Sequence, residues 1–465
     1  MVGGKEVLPL SLIGLLGFAT VVLMAVLLLH GYLWWRLVRS TTRPGRTRRL
    51  LTLGVVVLAV LPMGAVLLRR EDSALSTVVQ WIGFSWLGVA FYLFLTLLAL
   101  EPVRLVLRRR FRDAASAATV DGDVQVVASG ARSDAPAHVE SGTAPEPGWA
   151  GRGGRRLPDR DTGSGSAAAG TAPGRGGRPE DDGVIDPSRR LLLARGLAAT
   201  AGAVALGTAG TGAYLANSAP VVRRVPITLA GLDPALEGLR IVTFSDGHLS
   251  ALYGGRRFER LVETVNAQRP DVVAIVGDLV DGELGELREE VAPLADLISD
   301  QGVYFVTGNH EYFVDTTAWL RHLPTLGVQV LRNERVPIVR GGASVDLAGI
   351  DDRTAISSGV PGHGADLDAA LDGRDDAVPL VLMAHQPVQV EQAAAAGVGL
   401  QLSGHTHGGQ LWPFDYAVRL DQPAVQGLSR VGDTQLYVTT GAGFWGPPMR
   451  IGARPEVAVV ELRAP

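Results

Sequence analysis

Three apolar stretches without a charged side chain constrain most strongly what this chain can fold into. They occupy residues 10–29, 50–68 and 74–100, and each has the length of a helix that crosses a lipid bilayer. A bundle of buried helices in a soluble protein would not need such long uncharged segments. We therefore expect residues 1–112 to form a membrane region with three transmembrane helices.

Clusters of arginines follow the first and the third of these stretches, whereas the second ends at Arg69 and Arg70, which Glu71 and Asp72 follow. The clustered arginines are Arg36, Arg39, Arg43, Arg46, Arg48 and Arg49 after the first, and Arg104, Arg108, Arg109, Arg110 and Arg112 after the third. The positive-inside rule assigns both groups to the cytoplasm, which leaves the N-terminus outside. The apolar stretches hold no carboxylate, and this favours plain anchoring. A sensor or transport unit with an accessory domain is the alternative.

Two segments connect this region to the rest of the chain. Residues 113–188 are rich in Gly, Ala, Ser, Pro, Asp and Arg, a composition that predicts a disordered cytoplasmic linker. Residues 189–219 begin with Arg189 and Arg190 and continue as a weakly apolar run of Ala, Gly and Thr. This run is either a fourth transmembrane helix or an uncleaved anchor similar to a twin-arginine export signal. Both interpretations send the following residues to the outer side of a cell membrane that the chain crosses several times.

Composition excludes several kinds of site. The chain has no cysteine, which rules out disulfides, thiolate metal sites and a cysteine nucleophile. Its net charge is -4, so no overall basic field favours a nucleic-acid partner. The oligomeric state is not specified by any of these features.

Residues 220–465 have the pattern of an α/β domain. Short apolar runs that predict buried strands alternate with amphipathic stretches that predict helices. Strands are expected at residues 239–244, 271–276, 303–306, 380–384, 400–402, 436–440 and 457–462, and helices at residues 256–268, 284–299 and 388–396. The helix-poor segments, 328–350 and 411–462, predict added antiparallel hairpins.

Polar side chains follow five of the predicted strands. They are Asp246 and His248, Asp278 and Asp281, Asn309 and His310, His385, and His405 and His407. The carboxyl edge of an open α/β sheet is where binding sites form. Carboxylate, amide and imidazole ligands together suit borderline divalent ions. The sequence therefore predicts a metal site at these strand ends.

Five motifs in this order resemble the calcineurin-like metallophosphoesterases. They are Asp246-x-His248, Gly277-Asp278, Gly308-Asn309-His310-Glu311, His385 and Gly404-His405-x-His407, and the similarity extends over about residues 221–465. The fuller segment Gly404-His405-Thr406-His407-Gly408-Gly409-Gln410 is similar to the bacterial membrane-associated branch. Some members of that branch carry twin-arginine signals, and some are linked to cleavage of UDP-diacylglucosamine-type lipids. The resemblance implies a four-layer α/β/β/α sandwich.

The resemblance also implies a role for each site residue. Asp246, His248 and His407 would hold one metal, Asn309, His385 and His405 a second, and Asp278 would bridge both. The mixture of oxygen and nitrogen ligands suits Mn, Fe, Zn or Co as the two divalent ions, and manganese- or iron-dependent hydrolysis is expected. His310 would be the catalytic residue, acting beside the leaving-group oxygen.

The expected function is that of a membrane-anchored phosphoesterase. It would hydrolyse a phosphodiester or pyrophosphate bond with metal-activated hydroxide, and the membrane location favours a lipid-linked substrate. Asp281 is expected either to orient a ligand histidine or to form a simple turn. Arg450 is expected to be a surface residue, with contact to a phosphate as the alternative.

Overall fold

The computed structural model of the protein describes residues 10–71, 73–110 and 187–465. It divides into two compact units, one formed by Met1–Glu101 together with Leu191–Pro465 and the other by Pro102–Arg190. The linker predicted over residues 113–188 lies outside the described residues except for its last two, which already belong to a helix. The linker therefore stays a prediction.

Among the described residues, four helices are long and apolar enough to cross a membrane. They are α1 (Leu10–Leu33), α2 (Arg46–Leu67), α3 (Ala74–Ala99) and α4 (Pro187–Ala216). The first continues as a π-helical segment, Trp34–Arg39, so the helical structure extends past the uncharged stretch into the first arginines. Three of these helices lie over the predicted spans, and the fourth lies over the segment predicted to be a further helix or an anchor.

The first sheet contains six strands in the order β1-β12-β2-β3-β4-β5. These strands are β1 (Val221–Thr228), β2 (Arg240–Phe244), β3 (Val272–Val276), β4 (Val303–Val306), β5 (Val328–Val330) and β12 (Glu456–Arg463). From β2 to β5 all neighbours are parallel. All five residues of β3 are buried, as expected of a central parallel strand covered on both faces.

The second sheet also has six strands, in the order β10-β11-β9-β8-β7-β6. They are β6 (Glu334–Arg340), β7 (Ala343–Gly349), β8 (Leu380–Met383), β9 (Leu400–Ser403), β10 (Gly427–Val431) and β11 (Thr434–Val438). The β6–β7 and β10–β11 pairs are antiparallel hairpins, as predicted for the helix-poor segments. Strands β7, β8, β9 and β11 run parallel to one another.

Seven shorter helices accompany the sheets in the described part of the chain. They are α5 (Arg256–Asn266), α6 (Leu284–Val291), α7 (Thr316–His322), α8 (Ala355–Ser358), α9 (Leu367–Leu371), α10 (Val390–Ala395) and α11 (Asp415–Val418). The predicted helix over residues 284–299 is too long. It ends at Val291 because Pro293 lacks the N–H that an α-helix interior needs, and a 3₁₀ segment, Ala292–Asp296, follows.

Three hydrophobic cores separate the layers. Apolar residues from both sheets, among them Ile241 and Leu402, fill the space between them. Phe258 of α5 and Trp319 of α7 belong to the core on the outer face of the first sheet. Ala370 and Ala393 cover the second sheet in the same way. The predicted four-layer α/β/β/α sandwich, preceded by long apolar helices, is confirmed.

Helices α3 and α4 pack on the loop between β11 and β12. Met449 of this loop belongs to a buried cluster with Ala90 of α3 and Ala209 of α4. The backbone N–H of Arg450 donates to the carbonyl of Gly212, at 2.9 Å. The apolar helices therefore contact the sandwich directly.

Candidate metal centre

The carboxyl ends of five strands meet where the two sheets adjoin. β2, β3 and β4 of the first sheet lead to Asp246, Asp278 and Asn309, and β8 and β9 of the second sheet lead to His385 and His405. The sequence predicted strand-end positions at a sheet edge. The structure divides those strands between two sheets, so the site is formed by both.

Asp246, His248 and His407 form one group of potential ligands. The Nε2 atoms of His248 and His407 are 2.9 Å apart, and His407 Nε2 is 3.3 Å from Asp246 Oδ1. The Asp246 and His248 side chains are fully buried. These are the three residues that the resemblance assigns to the first metal.

Asp278, His385 and His405 form a second group. His385 Nε2 is 3.1 Å from Asp278 Oδ2, and His405 Nδ1 is 2.9 Å from Asn309 Oδ1. Asp278 Oδ2 is also 3.9 Å from His248 Nε2 in the first group. The structure thus brings all seven predicted ligands together and places Asp278 between the two groups.

Backbone conformation helps these side chains converge. Asp246, His248, Asp278, His405 and His407 have φ values of 53°, 45°, 53°, 70° and 52°. Few residues other than glycine adopt this left-handed region, and a run of such residues is typical of functional sites whose surroundings impose the conformation.

Two glycines allow the loops to approach closely. A Cβ on Gly404 would lie 2.6 Å from Asp246 Oδ2, and one on Gly308 would lie 2.5 Å from the backbone nitrogen of Asp278. Any side chain at either position would displace a predicted ligand. These glycines explain how the loops after β9 and β4 reach the carboxylates.

The outer nitrogens of two histidines are already engaged. His385 Nδ1–H donates to the Val276 carbonyl at 2.8 Å, and His248 Nδ1–H donates to Asp281 Oδ1 at 2.9 Å. A donating Nδ1 leaves the Nε2 lone pair of the neutral ring directed at the other ligands, as in metal-bound histidines. His385 Nε2 is fully buried and lies 3.1 Å from Asp278 Oδ2. The donor set therefore fits divalent cations of the borderline class.

His310 lies beside both groups. Its Nδ1–H donates to Asp281 Oδ1 at 2.6 Å, and its Nε2 is 4.0 Å from Asp278 Oδ2. Burial lowers the pKa of His310, but the neighbouring Asp278 and Asp281 outweigh it and raise the pKa to about 9. The ring is thus protonated near neutral pH in the metal-free protein.

Burial and neighbouring charges also shift the pKa values of two predicted ligands. Burial raises the pKa of Asp278, but His385 and His310 hold it well below its ordinary value. Burial, with His385 nearby, lowers the pKa of His405 to about 3. One carboxylate is thereby kept ionised and one imidazole neutral, which are the protonation states that a metal ligand needs.

Asp281 orients two histidines rather than forming a simple turn. Its Oδ1 accepts from His248 and from His310. Its Oδ2 lies 2.7 Å from Arg69 Nη2, a residue just beyond α2. The sequence anticipated the contact with a ligand histidine, but nothing in the local pattern pointed to the contact with Arg69.

Arg450 is a correction to the sequence analysis, because it is fully buried rather than on the surface. Its guanidinium donates to the carbonyls of Gly443 and Thr440 at 2.7 and 2.6 Å, and one nitrogen is 3.3 Å from His407 Nδ1. Burial lowers its pKa to about 10. Arg450 therefore contacts His407 from the protein interior and is not exposed at the open side of the site.

Glu311 is a supporting residue that the sequence analysis did not assign. Its buried carboxylate accepts from four backbone N–H groups, those of Gly308, Asp278, Leu279 and Val280, at 2.7, 3.0, 2.8 and 3.3 Å. It therefore joins the loop after β3 to the loop after β4. Its place in the Gly-Asn-His-Glu motif was the available signal.

Comparison with known proteins identifies a family whose model covers the segment that carries the candidate site. The model of the calcineurin-like phosphoesterase family matches residues 239–409, a segment that contains all seven candidate ligands and His310. A transmembrane protein with metallophosphoesterase domain from Bos taurus is 40% identical over 292 residues, which cover 61% of this chain and 65% of that protein. Its counterpart from Danio rerio is 41% identical over 258 residues, 54% of this chain and 59% of the relative.

A bacterial relative aligns over more of its length. An uncharacterized metallophosphoesterase from Helicobacter pylori strain J99 is 37% identical over 278 residues, 59% of this chain and 73% of that protein. The alignments to the two vertebrate relatives cover less than two thirds of those proteins. From the matched segment and these identities, the chain belongs to the calcineurin-like metallophosphoesterase family.

Proposed function

We propose that this protein is a membrane-anchored phosphoesterase that uses two divalent metal ions to hydrolyse a phosphodiester or pyrophosphate bond. The observation that carries the proposal is the position of Asp278, whose Oδ2 lies 3.1 Å from His385 Nε2 and 3.9 Å from His248 Nε2. One carboxylate oxygen can thus serve both ligand groups, which is the arrangement of two-metal hydrolases.

The ligand sets follow from the two groups. Asp246, His248 and His407 would hold one ion; Asn309, His385 and His405 would hold the other; Asp278 would contact both. When bound, the ions would polarise the phosphoryl oxygens and lower the pKa of a water molecule. Manganese, iron, zinc and cobalt all suit this mixture of oxygen and nitrogen ligands.

His310 would supply the proton for the leaving group. Asp281 holds its Nδ1–H at 2.6 Å, which fixes the ring and leaves Nε2 directed toward Asp278. With a pKa of about 9 in the metal-free protein, the ring carries a proton on Nε2 near neutral pH. A protonated imidazole at the edge of the ligand groups is suited to protonate an alkoxide or phosphate as it departs.

A lipid-linked phosphoester is the substrate class that the surroundings favour. The Trp445 and Phe313 rings lie 5.9 and 5.1 Å from the His310 ring, and both side chains are more than half exposed. Three further aromatic side chains, which come shortly after Gln410 in the sequence, are also exposed: Trp412, Phe414 and Tyr416. Exposed aromatic residues next to apolar helices are typical of the membrane interface, where the acyl chains of a lipid substrate would lie.

The finer assignments of branch and topology belong to the same proposal. Arg189 and Arg190 lie in the first turn of α4 and are exposed, as expected both of a membrane helix with cytoplasmic arginines and of a twin-arginine-like anchor. We place the catalytic domain on the extracytoplasmic side and expect the anchor to be retained. A relation to the UDP-diacylglucosamine pyrophosphatase-like branch is consistent with a lipid-linked pyrophosphate.

Hydrolysis of bis-p-nitrophenyl phosphate by the full-length protein in detergent tests the metal-dependent reaction. We expect activity with added Mn²⁺, its loss with a chelator, and a decrease in kcat of at least about 100-fold in Asp278→Asn and His405→Ala. His322→Gln, outside both ligand groups, is the matched control. Full activity in the chelator or in Asp278→Asn would refute the two-metal proposal. A comparison of phospholipids and nucleotide-linked lipids with free nucleotides then tests the substrate class.

A further inference from the structure

The α2–α3 hairpin does more than connect two apolar helices. Its tip is a 3₁₀ turn, Leu68–Arg70, and Arg69 in this turn reaches the sandwich. Arg69 Nη2 lies 2.7 Å from Asp281 Oδ2, where the side chain of Asp281 is 7% exposed and that of Arg69 is 29% exposed. A residue of the apolar helical region thus contacts the carboxylate that holds two histidines of the candidate site.

The Asp281 carboxylate has a different partner set on each oxygen. Oδ1 accepts from His248 Nδ1–H and His310 Nδ1–H at 2.9 and 2.6 Å, whereas Oδ2 faces Arg69. A carboxylate with partners on both oxygens cannot rotate without losing one of them. The Arg69 guanidinium therefore fixes the plane in which Asp281 presents Oδ1 to the two rings.

Independent contacts hold the hairpin in place. Trp81 and Phe84 of α3 pack on the core of the first sheet, and the Arg257 guanidinium lies 5.8 Å from the centre of the Trp81 ring. Arg69 and Asp281 also line one cavity together with Gln80 of α3. These contacts distinguish Arg69 from an ordinary surface arginine, whose ion pair with a carboxylate contributes little.

We propose that Arg69 is a positioning residue of the phosphoesterase site, acting through Asp281 on His248 and His310. The membrane hairpin is then part of the catalytic architecture and not only an anchor. The expected effect of Arg69 on catalysis rests on the proposed function, whereas its expected effect on metal binding can be measured separately. Partners that orient ligand histidines typically change metal affinity or activity by about 10–100-fold when removed.

Steady-state kinetics of the full-length protein with saturating Mn²⁺ and bis-p-nitrophenyl phosphate provide the first test. We expect Arg69→Gln to lower kcat about tenfold with little change in KM, because Asp281 and its histidines act on the reaction rather than on substrate capture. Arg69→Lys should restore much of the loss, since a lysine can keep the charge but not the fork geometry. Arg49→Gln, the same change at the other end of α2, should have wild-type kcat.

A double-mutant cycle shows whether the effect passes through Asp281. In an Asp281→Asn background, Arg69→Gln should cause no further decrease in kcat, because the two residues act as one unit. Wild-type kcat in Arg69→Gln, or a full additional decrease in the double variant, would overturn the inference.

Mn²⁺ binding provides a readout that does not depend on turnover. Electron paramagnetic resonance of free Mn²⁺, titrated with the full-length protein, should show about tenfold weaker binding in Arg69→Gln and unchanged binding in Arg49→Gln. If the wild-type protein binds Mn²⁺ without hydrolysing phosphoesters, the proposed function fails and this titration still decides the role of Arg69. Equal Mn²⁺ affinity in the Arg69→Gln and wild-type proteins would then contradict it.

Discussion

Glu311 joins two loops of the candidate site through a single carboxylate. Four backbone N–H groups donate to it, three from the loop after β3 and one from the loop after β4. Burial, together with Asp278, raises its pKa to about 7. Within the described residues, backbone N–H groups are the partners of both carboxylate oxygens. This position therefore requires an acceptor at each oxygen.

The substitution Glu311→Gln removes one of the two acceptors and introduces an NH₂ group that faces backbone N–H donors. We expect a loss of about 2 kcal/mol in the free energy of unfolding, the typical cost of leaving buried hydrogen-bonding groups unsatisfied. The midpoint of thermal unfolding, followed by tryptophan fluorescence of the metal-free full-length protein, should fall by roughly 4–8 °C. Glu263→Gln, an exposed position on α5, is the control. An unchanged midpoint in Glu311→Gln would show that the four contacts do not stabilise the fold.

The site residues differ in how far the sequence could predict them. Asp246, Asp278 and His405 each follow an apolar strand after one intervening residue, so the local pattern was enough to indicate their place at strand ends. Arg450 and Glu311 are different, because their partners lie on other loops. Arg450 was predicted to be on the surface, and nothing in its neighbourhood indicates that its loop folds back over His407. Contacts between distant segments decide such positions.

At the scale of elements, the loop between β11 and β12 connects α4 to the site. The carbonyl of Gly212 in α4 accepts from the backbone N–H of Arg450, and the Arg450 side chain supports His407. A Cβ on Gly212 would lie 3.0 Å from Met449 Cβ and 3.2 Å from Ile451 Cγ1. The absence of a side chain at this position lets the helix and the loop come together.

The substitution Gly212→Leu should push this loop away from α4. Inserting a large side chain into a packed contact typically costs about 1–3 kcal/mol, and Arg450 would move with the loop. We expect a lower thermal midpoint and lower Mn²⁺-dependent activity in the full-length protein. Gly210→Leu is the matched control, because a Cβ at Gly210 meets no atom within 4 Å. Equal effects of the two substitutions would mean that the loop does not depend on this contact.

The periodicity of apolar residues predicted most of the strands, but it did not predict which of the two sheets each strand belongs to. β4 has the predicted bounds, and β3, β8 and β9 differ from the prediction by one residue at one end. Strand β1 was not assigned, because Arg223 and Arg224 interrupt its apolar pattern at the edge of the sheet. The division of strands between two sheets depends on which strands pair with one another. Local hydrophobicity does not determine that pairing. The resemblance to a known family, and not periodicity, predicted the four-layer sandwich.

At the scale of the whole molecule, the sequence predicted the apolar helices but not their contacts with the sandwich. Length and absence of charge are sufficient to indicate a transmembrane helix. Contacts such as Arg69 with Asp281 and Tyr92 with Trp412 join residues more than two hundred positions apart in the chain. The helices consequently support the site from two directions, through Asp281 and through the loop that carries Arg450.

These contacts bear on which side of the membrane the catalytic domain occupies. The α2–α3 tip contacts the sandwich through Arg69, whereas the opposite end of α2 begins at Arg46 and follows the arginines after α1. If those arginines are cytoplasmic, as the positive-inside rule requires, the tip and the sandwich lie outside. The proposed extracytoplasmic location thus rests on one rule and one contact, and it stays a proposal.

Cysteine labelling can test this location, because the chain contains no cysteine of its own. We expect a membrane-impermeant maleimide to label a Glu263→Cys variant in right-side-out spheroplasts, because Glu263 is exposed on α5 of the sandwich. A Thr47→Cys variant, exposed at the arginine-rich start of α2, should react only after the membrane is opened, which also confirms that this thiol is reactive. The reverse pattern would place the catalytic domain in the cytoplasm. Labelling at both positions in sealed spheroplasts would contradict the arrangement in which α2 crosses the bilayer.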